Sequence, residues 1–227
     1  MVRNAAGPGL AVPVAVYLEV TPRRAFASAA DWPGWCRSGK DEAGALESLA
    51  AFGPRYAAVA AGAHVAFKPV PASDFKVAER LPGSATTDFG APGAIASADA
   101  KPLPRAEADR IEALLRACWE VFDAVLAAAP AELRKGPRGG GRDRDKIAQH
   151  VIDAEGAYAA KIGVRLKPPK PDDRKGVAEW RDALVAGLRS QPEESAGGSK
   201  RWPARYAARR LAWHAVDHAW EIEDRAP

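Results

Sequence analysis

The sequence predicts an α+β chain in two parts, and three observations carry that prediction. Short β-rich runs broken by turn residues fill about residues 1–80. A Gly/Pro-rich stretch follows at 81–103. Long stretches with apolar residues every three or four positions then occupy 104–227, the pattern of helices with one buried face. The expected architecture is a small N-terminal β-hairpin and helix unit, a connector, and an all-α four-helix bundle. At 227 residues the chain is long enough for one large core or two smaller ones.

The N-terminal elements read in order. Residues 12–19 (Val-Pro-Val-Ala-Val-Tyr-Leu-Glu) form a first strand, with Pro13 at its entry, and 25–29 pair back as a second after the Thr21-Pro22 turn. Trp32-Pro33-Gly34-Trp35 is a turn between aromatic anchors, and Cys36 to Ser38 a short third strand. Asp41 and Glu42 start a helix through Leu46 and Leu49, and Gly53-Pro54 interrupts it. His64-Val65-Ala66-Phe67 reads as a fourth strand and 75–79 as a fifth. The stretch 81–93 holds too many Gly and Pro residues for a helix.

The helical part is clearer. Arg105 to Ala129 places Ile111, Leu114, Leu115, Cys118, Trp119, Phe122, Val125 and Leu126 on one face, after Pro104. A second helix spans 143–162. A third follows Asp172-Asp173 through Trp180 and Leu188, and a fourth runs from Ala204 to Asp224. Residues 192–199 and the glycine run at 139–141 read as loops, the latter lacking the Lys-Ser/Thr of a phosphate-binding loop.

Composition excludes several functions. The net charge of +4 comes without a dense basic run, so nucleic-acid binding is not indicated. No apolar run reaches the roughly 18 residues of a membrane span. The start at Ala5 to Leu10 carries no cleavage signature, which leaves a cytoplasmic protein as the expectation. Cys36 and Cys118 are too few and too separated for a disulfide framework. Cys118 belongs to an apolar helix face, Cys36 is expected to be accessible, and neither has a histidine nearby in sequence to activate it.

Histidine is the informative residue. The chain has four, and two of them, His214 and His218, stand four apart in a segment without Gly or Pro. On a helix that spacing puts both imidazoles on one face, the arrangement that lets one rigid element supply two ligands to a metal. His150 lies mid-way along the second helix beside Ile147, Val151 and Ala154, on its apolar side. Three imidazoles from two helices suit a divalent ion such as Zn or Ni with a coordination position left open. The same pattern also fits hydrogen-bonded core histidines. Asp153 and Asp217 read either as groups orienting the ligands or as solvated acids. Arg210, one turn before His214, is a candidate to bind an anionic substrate. Tyr158 and Tyr206 are candidates for the mouth of the site, and Asp88, in Thr86-Thr87-Asp88-Phe89-Gly90, for its lining.

The order of four helices, a histidine within the second and His-x3-His in the fourth resemble the DinB/YfiT-like metalloenzymes over about 104–225. That resemblance implies a three-histidine site on His150, His214 and His218. It also implies metal-dependent hydrolysis, or transfer involving a low-molecular-weight thiol such as mycothiol. Over the first seventy positions, the strand order with Asp31, Pro33, Gly34, Gly39, Asp41 and Glu42 resembles the HicB-like antitoxin fold. That resemblance implies a partner-binding module, without the DNA-binding helix-turn-helix of some members. The expectation is therefore a metal-dependent enzyme acting on a small molecule, with its N-terminal unit shaping the pocket. The alternative is a non-catalytic, antitoxin-like binding protein. Oligomeric state is left open.

Overall fold

A computed structural model of the chain describes residues 13–136, 140–190 and 201–227. Its N-terminal part is a four-stranded sheet: β1 (Val14–Val20), β2 (Ala25–Ala29), β3 (Cys36–Gly39) and β4 (Phe75–Pro82), in the order β3-β2-β1-β4. The first three strands form an antiparallel meander, and β4 lies parallel to β1 with a bulge between Val16 and Tyr17. A parallel neighbour requires a crossover. Helices α1 (Glu42–Ala51) and α2 (Gly53–Gly62) provide it. β2 is buried along its whole length, whereas β4 alternates half-buried and exposed residues as an edge strand does.

Local chemistry accounts for the crossover. Gly34 adopts φ +94°, the left-handed region open to glycine, and a Cβ there would stand 3.0 Å from Cys118 Sγ. The turn it makes buries Trp35, which donates to the Leu49 carbonyl at 2.8 Å and stacks on Tyr56. Asp41 caps α1 by accepting from the Gly44 N–H at 2.8 Å. The expected strand at His64–Phe67 is absent. His64 takes φ +54° as α2 closes, and Pro69 and Pro71 just beyond have no N–H to give a ladder. Phe67 instead packs edge-on against Trp32, Trp35 and Tyr56.

The 81–103 stretch is also more ordered than expected. β4 runs on to Pro82, and a short helix α3 (Ala85–Phe89) follows despite the surrounding glycines. Ser84 and Thr87 form a reciprocal capping box that satisfies its first amides, and Gly90 at φ +113° ends it. Buried Glu19 of β1 then gathers the segment, accepting from Thr87 Oγ1 and from the Gly93 and Ala94 N–H groups at 3.0 and 2.8 Å.

Four long helices follow: α4 (Arg105–Ala128), α5 (Arg144–Lys161), α6 (Arg174–Arg189) and α7 (Ala204–Arg225). The buried face of α4 is the periodic one, with Val125 and Leu126 only partly covered near its end. α7 packs on α4, α5 and α6. The apolar core is continuous from Leu18, Trp35 and Tyr56 of the first eighty residues to Leu115, Cys118 and Ala212 of α4 and α7. The start at Ala5 to Leu10, the first residue of the expected strand 12–19, the expected loop at 192–199 and part of the glycine run fall outside the described residues.

Candidate metal centre

α7 is the central element of the site. It has no side-chain N-cap, and Pro203 precedes its first turn. Its length of 22 residues carries Arg210, His214 and His218 down one side. α5 lies against that side and brings His150 to it.

The structure brings His150, His214 and His218 together. One ligand nitrogen from each lies within 4.8 Å of the others. His150 Nε2 and His214 Nε2 are 3.3 Å apart, and the ring centroids are separated by 4.6 to 5.0 Å. His214 is buried, His218 is mostly covered, and His150 is half-buried, so the cluster opens on the α5 side. Burial, then the neighbouring rings of His218 and His150, push His214 well below the usual imidazole range. Burial and His218 also lower His150. Neutral imidazole is the form that donates a lone pair to a metal.

The third histidine has a clear orientation. His218 Nδ1 lies 2.7 Å from Glu221 Oε2, and Arg225 Nη1 donates to Glu221 Oε1 at 2.6 Å. The hydrogen bond with His218 is the main reason that Glu221 is held below the usual carboxylate range. A carboxylate on Nδ1 fixes the tautomer that leaves Nε2 as the free lone-pair donor. Sequence reasoning missed Glu221. The available signal was its position three residues after His218, which on a helix places the two side chains side by side.

The other acids do not take that role. Asp217 pairs with Arg37 of β3 at 2.7 Å. Exposed Asp153 accepts from Gln149 at 2.8 Å. Glu155 points away from the histidines and is nonetheless fully buried, accepting from the indoles of Trp119 at 2.8 Å and Trp180 at 3.0 Å. Burial pushes its carboxyl up to about 7, against the pull of Arg181 and the two indole N–H groups. This buried acid joins α4, α5 and α6; its spacing of five residues from His150 already turns it away from the cluster, but its burial between two indoles was not foreseen.

Arg210 and Tyr158 adjoin the cluster. Arg210 Nη2 donates to Tyr158 Oη at 3.0 Å, and the Tyr158 ring centre lies 6.0 Å from that of His214. Arg210 Nη1 donates to the Pro92 carbonyl at 2.6 Å. Tyr206 donates to the Gly93 carbonyl at 3.0 Å, so the connector touches the site region through Pro92 and Gly93. Asp88 is engaged elsewhere, accepting from Thr21 at the β1–β2 turn at 2.6 Å. Cys36 is buried, contrary to expectation. Ser28 lies 2.9 Å from its sulfur, and burial pushes the thiol up to about 12. Cys118 is fully buried, and burial raises its thiol as well. Neither is a nucleophile at neutral pH. His64 stands at the end of α2, outside the cluster.

Comparison with protein-family models, curated proteins and solved structures returns no match for this chain.

Proposed function

We propose that the chain is a metal-dependent enzyme holding one divalent ion, Zn or Ni, on His150, His214 and His218, within a DinB-like bundle formed by α4 to α7. The observation that carries this reading is the ligand geometry. Two nitrogens each about 2.0–2.1 Å from one ion at a tetrahedral angle stand roughly 3.3 Å apart. The His150 and His214 Nε2 atoms are 3.3 Å apart. The rest of the donor set agrees. Burial favours the neutral form of His150 and His214, Glu221 backs His218, and three protein ligands leave one tetrahedral position for a small molecule.

Bound there, a divalent ion supplies Lewis acidity that suits activation of a water or a low-molecular-weight thiol. The chain's residues do the rest. Glu221 and Arg225 hold one ligand in register. Tyr158 of α5 and Trp213 of α7 pack beside His214, and half-buried His150 and Tyr158 border the open side. Hydrolysis and thiol transfer are both compatible with this arrangement. In our reading the N-terminal unit, with its HicB-like hairpin and Asp31-Trp-Pro-Gly turn, serves to cover the helices rather than to bind a toxin. It shares their core and fastens the connector against Arg210.

Metal analysis of the purified protein is expected to give about one divalent ion per chain. His214→Ala should lower occupancy by an order of magnitude or more while the far-UV circular dichroism stays unchanged. Full metal content in that variant would remove the site. A screen for hydrolysis and thiol conjugation, each with and without a chelator, then separates the two reaction classes.

A further inference from the structure

The Arg210 guanidinium is buried beside the histidine cluster and, among the described residues, bonds only neutral groups. The residue is 7% exposed, and among the described residues it makes no ion pair. Its two bonded groups reach neutral acceptors, the Pro92 carbonyl and the Tyr158 hydroxyl. Among the described residues its buried Nε–H has no acceptor, and neither has the buried indole N–H of Trp213, whose ring centre lies 5.0 Å from the guanidinium carbon. Isolated buried charges and unsatisfied buried donors are costly, so arrangements that keep both are usually completed by a partner.

The neighbouring carboxylates are committed elsewhere. Asp99 is gripped by Arg209 Nε at 3.1 Å and by its Nη2. Glu19 accepts from the Thr87 hydroxyl and the Gly93 and Ala94 N–H groups and makes no ion pair with Arg210. Arg209 and Arg210 are adjacent, and burial, then the charge of Arg210, holds Arg209 below the usual guanidinium range. Arg210 therefore makes no direct ion pair and keeps an unsatisfied N–H, one helical turn from His214. Tyr158 completes the picture. It accepts from Arg210, which leaves its own O–H free to donate, and it is half-buried at the open side of the cluster.

We infer that the small molecule handled at this site carries a carboxylate, bound by Arg210 with the Tyr158 hydroxyl and placed beside the histidine cluster. The Arg210 Nε–H and the Tyr158 O–H are two donors, the number that the two oxygens of a carboxylate take up one each. The anion also supplies the acceptor that the Arg210 Nε–H lacks. The role of this group in catalysis rests on the metal reading above; the binding of the carboxylate does not.

The test is acetate titration of the full chain, followed by 15N–1H spectra of the arginine Nε–H and tryptophan indole signals, with Trp213 assigned through Trp213→Phe. A saturable shift of the Arg210 and Trp213 signals is expected, and sodium chloride at equal ionic strength should not reproduce it. Arg210→Gln should weaken the acetate response by roughly tenfold or more, the scale of one charge-assisted bond. Arg210→Lys, which keeps the charge without the planar fork, should fall between the two. No saturable shift in the wild-type chain, or an equal response in Arg210→Gln, would overturn the inference. The two readings fail separately. A chain that binds acetate at Arg210 and carries no metal refutes the metal centre alone. Metal retained with no acetate response refutes the carboxylate site alone.

Discussion

Single buried polar side chains decide most of what is specific here. Glu155 is the plainest case. It sits in the core against Trp119, Trp180 and Arg181, and burial raises its carboxyl from 4.5 to about 7. An acid whose folded value is raised binds its proton more tightly in the folded state. Its stabilising contribution is therefore full below the unfolded value and is lost as pH rises through about 7. Chemical denaturation of the wild type should show stability falling from pH 4.5 to 7.5, by up to roughly 3 kcal/mol from this group. Glu155→Gln should flatten that slope, and an unchanged slope in the variant would assign the dependence to other groups. The three histidines were legible in the sequence because spacing on a helix is a strong constraint. Glu155 and Glu221 were not, because an acid on a helix gives no sign of whether it meets solvent, an indole or an imidazole.

At the scale of elements, the connector shows how a segment with poor propensity becomes ordered. Glycine and proline around 81–93 argue against regular structure. The capping box of Ser84 and Thr87 still closes a turn of helix, and one buried carboxylate on β1 fixes the residues after it. Glu19→Ala would strip three donors of their acceptor in a fully buried place. The expected cost is about 3 kcal/mol or more, read as a lowered urea midpoint. It should come with faster amide exchange at Gly93 and Ala94. A loss below about 1 kcal/mol would mean that the connector is held mainly by its contacts to α7. The misread strand at 64–67 has a related cause. Its residues have β propensity, but His64 turns the chain in the left-handed region and the prolines that follow remove the ladder donors.

For the whole molecule, the continuity of the core matters most. Gly34 of the N-terminal turn lies against Cys118 of α4 and Val216 of α7. Tyr56 donates to the Pro33 carbonyl at 2.7 Å beneath the same contact, and Phe52 packs against Trp220 at 5.1 Å between ring centres. Elements that share one apolar core lose it together, so heating should give a single cooperative transition, with near- and far-UV circular dichroism coinciding. A fragment of residues 104–227 should be much less stable than the full chain, because it exposes the faces of α4 and α7 that the sheet and α2 cover. Two resolved transitions, or a fragment as stable as the full chain, would show that the helices stand alone.

The sequence by itself determined the α+β class, the start and end of each long helix to within a residue or two, and the identity of the three clustered histidines. These follow from period and punctuation, which act over one or two turns of chain. Only the tertiary structure decided that the Glu221 carboxylate backs His218 and that Glu155 is buried between two indoles. It also decided that Cys36 is inaccessible and that Arg210 faces a hydroxyl and a carbonyl instead of an acid. Each of these depends on which groups from distant parts of the chain are removed from water together, and local pattern does not encode that.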